Sequence, residues 1–369
     1  VPQAAQGGGI NAPYRDGSHL SPGAPGQACL ALGHGFCDTG TGRSWHRPRA
    51  VVGIAWGNHH NNRQAGTMRR LTGSGQQHTG MSRQHPIIAV TGSSGAGTSS
   101  VRGAFEQIFR SEGIKAAIIE GDGFHRHDRE TMERVVQEAD RDNRNVTHFG
   151  PEGNLFEELA AVFREYGLHG TGRHRHYVHN EEEAARRGYA SGLLTPWEPL
   201  PGNTDLLFYE GMHGGLVTET VNVAKYVDLL IGVVPIINLE WMQKIHRDRS
   251  IRGYSVTNAT EIILRRIHDY AHYIVPQFSR TDINFQRVPT VDTSNPFAAL
   301  DIPTDDQSLT VVHVRNTKKV QVDFRHLLEM LEGSFMSMQN TIVVPAGKSI
   351  FCMQLIVTPL LQRLVEARE

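Results

Sequence analysis

Cysteine is nearly missing from this chain: 369 residues carry three, Cys29, Cys37 and Cys352. None forms a CxxC pair, and three thiols make no disulfide framework. This excludes a disulfide-stapled secreted module and predicts a reducing, cytoplasmic setting. No run of about 18 apolar residues occurs, so the sequence offers no membrane span by length. Net charge is only −1, so bulk charge does not argue for a nucleic-acid partner. The apolar content of 39% is enough for a buried core, and the length fits one large domain or two ordinary ones.

The first 80 residues lack more than the rest. They contain no Lys and no Glu against seven Arg and two Asp, and they hold 16 of the 38 glycines. No period of 2 or 3.6 is sustained there, and the basic-then-apolar layout of a secretory signal is absent. Such a segment cannot bury enough apolar surface to offset its ordering entropy. Residues 1–80 are therefore expected to be an upstream extension of a native chain starting at Met81. A strand begins within five residues of that Met, and Arg without Lys is what GC-rich non-coding DNA yields on translation. A disordered tail and a basic functional arm are the alternatives. Subtracting the segment's charge of +5 from −1 leaves 81–369 at −6.

The segment His85–Thr91 (HPIIAVT) is apolar, β-branched and ended by glycine, which predicts a short buried strand. Gly92, Ser93, Ser94, Gly95, Ala96, Gly97, Thr98 and Ser99 follow. Val101, Ala104, Phe105, Ile108 and Phe109 then fall on one helical face, and Gly113 closes the helix. Strand, glycine loop and helix are the context of a phosphate-binding loop. Glycines let backbone N–H groups converge on phosphate oxygens, the helix N-terminus adds favourable charge, and Ser99 is placed to ligate Mg²⁺. A plain glycine-rich turn is the alternative. Thr98 stands where lysine is usual, and a hydroxyl cannot supply that charge. A unit pair at 4 Å contributes about 4 kcal/mol at an effective dielectric of ~20, so another cation is required from elsewhere.

Three further strand ends carry chemistry. Ala116–Glu120 runs into Gly121-Asp122-Gly123, where Asp122 is placed to accept a proton from a substrate hydroxyl or, more simply, to cap a turn. Leu206–Tyr209 ends in Glu210, a candidate Mg²⁺ partner or an ordinary strand-end carboxylate. Val227–Val234 leads into a polar helix in which Lys244, Arg247 and Asp248 share one face. That face can close over phosphates and supply the missing cation; the alternative is a solvated charged surface. Gly172–His179 (GRHRHYVH) predicts a loop meeting an anionic substrate, with Glu181-Glu182-Glu183 as the acidic first turn of a helix. Farther on, Leu309–Val314, Val320–Phe324 and Ile342–Val344 are expected as strands. Leu327–Leu331 is expected as a helix, and Met353–Ala367 as one interrupted by Pro359.

Taken together, HPIIAVTGSSGAGTSS, EGDGFHR, GRHRHYVH, LLFYEGMHG, INLEWMQKIHRDRSIRGYS, ILRRIHDY, IVPQFSRTDINFQRVP and VDTSNP resemble the bacterial phosphoribulokinases, in order, over most of 81–369. The resemblance implies an α/β P-loop kinase fold, with a mixed central sheet flanked by helices as in nucleoside and nucleotide monophosphate kinases. It implies ATP-dependent phosphorylation of D-ribulose 5-phosphate at O1, with Asp122 as general base. Glu210 and Asp248 would serve the metal, and Lys244 and Arg247 the transferring phosphoryl. His125, Arg129 and Arg252 match the sugar-phosphate contacts, with Tyr177 and His179 beside them. Arg265 and Arg266 match an Arg pair of the family. Threonine in the loop follows the bacterial branch, and Ala96 leaves no thiol to switch. That branch is typically octameric, activated by NADH and opposed by AMP. A uridine- or pantothenate-type kinase shares the loop and the strand-end acids but would not need Arg129 and Arg252. A non-catalytic nucleotide sensor would not need Asp122 and Asp248.

Overall fold

The computed structural model describes residues 84–93, 98–250, 255–298 and 301–368. All of them belong to the second of two units into which the chain divides, Val1–Gly73 and Ser74–Glu369. The expectations for residues 1–80 and Met81 lie outside the described residues.

Strand β1 (Ile87–Gly92) is buried along its whole length, as its continuous β-branched run requires when both faces are covered. Helix α1 (Thr98–Glu112) follows and buries Val101, Ala104, Phe105, Ile108 and Phe109, the face its spacing predicts. Gly113, at φ +68°, ends it in the left-handed conformation that costs glycine least. After β2 (Ala116–Glu120) come α2 (Arg129–Arg141) and α3 (Phe156–His169). A two-residue ladder follows, β3 (Arg173–His174) with β4 (Glu198–Pro199), spanning α4 (Glu181–Arg187). Asn180 caps α4 by accepting from the Glu183 N–H, so the acidic run forms its first turn.

Strands β5 (Leu206–Gly211), β6 (Leu229–Val234) and β7 (Ile283–Pro289) complete the parallel part of the sheet. Helices α5 (Ile237–Ser250) and α6 (Val256–Asp269) stand between β6 and β7, and α6 ends in a single π-turn, Tyr270–Ile274. An antiparallel extension follows from β8 (Ser308–Val314), β9 (Phe335–Met338) and β10 (Thr341–Pro345). The eight strands run in the order β2-β5-β1-β6-β7-β8-β10-β9. The sheet is mixed, as expected. Its chain order departs from β1 in both directions, so the crevice at the C-terminal ends of β5, β1 and β6 is the position where such sheets bind ligands.

The two faces of the sheet carry separate cores. Ile88 and Val90 pack with Phe105, Phe208, Ile231 and the last helix, α9 (Ser349–Glu366). Ile87 and Ala89 face Phe163, Tyr166 and Leu159 of α3. Among the described residues α9 is the helix long and apolar enough to cross a membrane by composition. Its Cys352, Met353, Ile356, Val357, Leu360 and Leu361 instead lie in the first core.

Two expectations are corrected here. Val320–Phe324 is not a strand: α7 (Thr317–Val320) ends there, Gln321 turns back at φ +48°, and Asp323 caps α8 (Phe324–Met330). Its alternating apolar residues pack on the core from a bend. Pro359 does not interrupt α9. It sits on the exposed side, where the carbonyl it leaves without an N–H can be hydrated while the buried face holds the helix together.

Candidate active site

Three strand ends line up at the crevice. Glu210 on β5 is in register with Val90 of β1 on one side and Glu120 of β2 on the other. Gly92 and Ser93 leave β1 fully buried. Ser94, Gly95, Ala96 and Gly97 lie outside the described residues, as do Arg252 and the side chains of Thr98 and Ser99. The backbone of Thr98 and Ser99 opens α1, so strand and helix stand on either side of the loop as the motif requires.

Asp122 sits on a short 3₁₀ turn, Gly121–Phe124, directly after β2. Its two oxygens face two imidazoles: Oδ1 is 3.4 Å from His125 Nε2, and Oδ2 is 3.4 Å from His179 Nε2. His125 is buried, and its tautomer is set by its surroundings. Asn154 Nδ2 donates to the carbonyls of His148 and Gly150, which leaves Asn154 Oδ1 as the acceptor 2.9 Å from His125 Nδ1. Nδ1 therefore carries a proton, and Nε2 is the ring nitrogen that faces Asp122. Tyr177, buried, packs edge-on against His125 at 5.6 Å. Arg129 donates from Nη2 to the His179 carbonyl at 2.9 Å, fixing the segment that carries that imidazole. Asp122, His125, Arg129, Tyr177 and His179 are thus brought together.

The second group lies on α5. Lys244 and Asp248 are buried and form an ion pair through Lys244 Nζ and Asp248 Oδ2, with Arg247 Nε 3.8 Å from Asp248 Oδ1. The charged face of α5 is turned into the protein, so the solvated-helix alternative does not hold. Burial, and then Arg266 nearby, lower Lys244 to about 8 despite its carboxylate partner.

One turn before Lys244, Glu240 is also buried and accepts from the Tyr270 hydroxyl at 3.2 Å. Burial raises Glu240 to about 7, against the pull of the Tyr270 hydroxyl. Glu240 and Tyr270 connect α5 to the π-turn. Sequence reasoning missed them, although Glu240, Lys244 and Asp248 at i, i+4 and i+8 were a readable stripe. A π-turn is frequent at functional sites, but no sequence signal marked this one.

Arg266 joins the two groups. It approaches His148 Nδ1 at 3.4 Å and lies over the Phe149 ring, while His148 packs edge-on against His125. Arg265 pairs with Asp140 of α2 at 3.0 Å. Within the Gly172–His179 run, Arg173 and Arg175 lie over Trp197 and His176 bonds Glu120, while Tyr177 and His179 stand at the Asp122 turn.

The profile of the Phosphoribulokinase / Uridine kinase family matches residues 87–294. The chromosomal phosphoribulokinase of Cupriavidus necator is 59% identical over 290 residues, 78% of this chain and 99% of that protein. The phosphoribulokinase of Nitrobacter vulgaris is 57% identical over the same length and shares. The solved phosphoribulokinase from Rhodobacter spheroides is 52% identical, covers 78% of this chain and 99% of its own, and superposes with a TM-score of 0.72.

Proposed function

The chain is a kinase of the phosphoribulokinase / uridine kinase family, and from that premise we propose that it transfers the terminal phosphoryl of ATP to O1 of D-ribulose 5-phosphate. The product is ribulose 1,5-bisphosphate for carbon fixation in the Calvin cycle. The observation that carries the reading is the Asp122 carboxylate at the sheet's C-terminal edge, between two imidazoles, with Arg129 one carbonyl away. That wall receives an anionic sugar phosphate, which a neutral nucleoside would not need.

Asp122 accepts the O1 proton as the oxygen attacks. His125, Arg129 and Arg252 hold the substrate phosphate, with Tyr177 and His179 lining the approach. Lys244 and Arg247 face the charge that develops on the transferring group, in place of the lysine that Thr98 replaces. Among the described residues no three His, Cys, Asp or Glu gather as a metal cage. Mg²⁺ takes one or two carboxylates and keeps water and phosphate oxygens for the rest. Glu210, Asp248 and Ser99 would hold it, and bound with ATP it supplies charge neutralisation at the phosphoryl oxygens. Gly92–Ser99 cradle the nucleotide. Activation by NADH, opposition by AMP, a homo-octameric assembly and a cytoplasmic location complete the proposal, all carried by the resemblance to the bacterial enzymes.

ATP consumption measured with ribulose 5-phosphate and with uridine, each with and without NADH, tests it. Turnover is expected with the sugar phosphate and to rise with NADH. Turnover with uridine alone would overturn the substrate.

A further inference from the structure

The turn that presents Asp122 is held by a residue with no assigned role. Arg175 reaches across from the segment after β3 and donates twice, from Nε to the Gly123 carbonyl at 2.7 Å and from Nη2 to the His125 carbonyl at 2.6 Å. These two carbonyls flank Phe124 and belong to the stretch that carries both Asp122 and His125. The guanidinium stacks on Trp197 at 4.6 Å, and Phe124 packs edge-on against the same indole at 5.4 Å. Fork, turn and indole form one block.

The approach is close enough to dictate a glycine. A Cβ at Gly123 would lie 2.0 Å from the Arg175 carbonyl oxygen, so both the backbone and the side chain of Arg175 are fitted to this turn. The residues after Arg175 continue the pattern. His176 bonds Glu120 just before the turn, Tyr177 packs on the His125 ring, and His179 faces Asp122.

We infer that Arg175 is a positioning residue for the phosphoryl-transfer reaction, setting the Asp122–His125 turn by a two-pronged hold on its backbone. Its donors are spent on the turn, and it acts through it. Lysine carries its donors on one nitrogen at the end of a flexible stem and cannot reproduce the fixed spacing of the planar fork. Displacements of about 1 Å at a reacting group cost on the order of 100-fold in rate.

The inference rests on Asp122 acting as the base, so Asp122→Asn is the control: wild-type turnover in that variant would reject the base assignment itself. With that control inactive, Arg175→Lys is expected to lower kcat roughly 10- to 100-fold, keep the ATP KM within about twofold, and shift the acid limb of the kcat pH profile. In the Asp122→Asn background Arg175→Lys should lower residual turnover no further, because the two act as one unit. Added methylguanidinium should recover part of kcat in Arg175→Ala. Wild-type kcat in Arg175→Lys would overturn the inference. So would a loss matched by the fall in ATP-binding sites with an unchanged pH profile, because that pattern belongs to a merely structural residue. Should Arg175→Ala not fold, Arg175→Lys and the double variant carry the test.

Discussion

The proposed role of Lys244 requires a cation where burial disfavours one. The side chain is almost fully enclosed, and desolvation with Arg266 nearby brings it down to about 8. Asp248 beside it works in the opposite direction. If this ammonium replaces the loop lysine, the rate should fall as pH rises through about 8, because the free base carries no charge to set against the phosphoryl group. Lys244→Met removes the charge at every pH. It is expected to lower kcat by roughly 10²–10³, the loss typical of one electrostatic donor, with ATP affinity changed far less. Pre-steady-state turnover and equilibrium ATP binding separate the two quantities. A variant that bound ATP poorly but turned over normally once saturated would show that Lys244 grips the ground state instead.

The strand end of β2 joins the pieces of the site, and Glu120 is its centre. Arg102 of α1 donates to Oε1 at 2.5 Å, His176 lies 3.2 Å from Oε2, and Arg187 of α4 stands 4.0 Å away. Burial alone would raise this carboxyl, but the His176 and Arg102 hydrogen bonds and charges hold it at about 2. A carboxyl depressed in the folded state stabilises above its unfolded value near 4.5, and that contribution is lost as pH falls from there toward 2. At neutral pH the shift corresponds to on the order of 3 kcal/mol. Glu120→Gln should therefore lower the urea midpoint at pH 7, with the gap to wild type narrowing below about pH 4.5. A gap independent of pH would mean that the cluster contributes through packing rather than charge.

Elements of this kind separate what was legible from what was not. The strands β1, β2, β5 and β6 and the helices α1 and α5 were readable because glycine punctuation and apolar runs coincide there. Asp122, Glu210 and Lys244 could be proposed from the sequence because they lie at or beyond the ends of such strands. The Val320–Phe324 segment misled because period-2 alternation also arises in a bend whose apolar residues all turn to one core. Arg175, Glu120 and Asn154 were invisible as site residues because their partners are backbone carbonyls or lie 29 to 56 residues away. Spacing within one helix or strand cannot encode such contacts.

At the scale of the whole molecule, residues 84–368 close on themselves. Arg368, after α9, donates to the Gln84 carbonyl at 3.0 Å and pairs with Asp205 just before β5. The last helix thus locks against the entry to the first strand, on the edge of the sheet opposite the crevice. The family profile begins at residue 87, and 290 residues of this chain account for 99% of its Cupriavidus relative. We therefore propose that everything needed for nucleotide binding, substrate recognition and folding lies from Met81 onward. A chain of residues 81–369 should match the full chain in kcat, in both KM values, in its response to NADH and in melting temperature within about 2 °C, roughly the shift that 1 kcal/mol produces in a domain of this size. Loss of turnover on truncation would make the upstream segment part of the working enzyme.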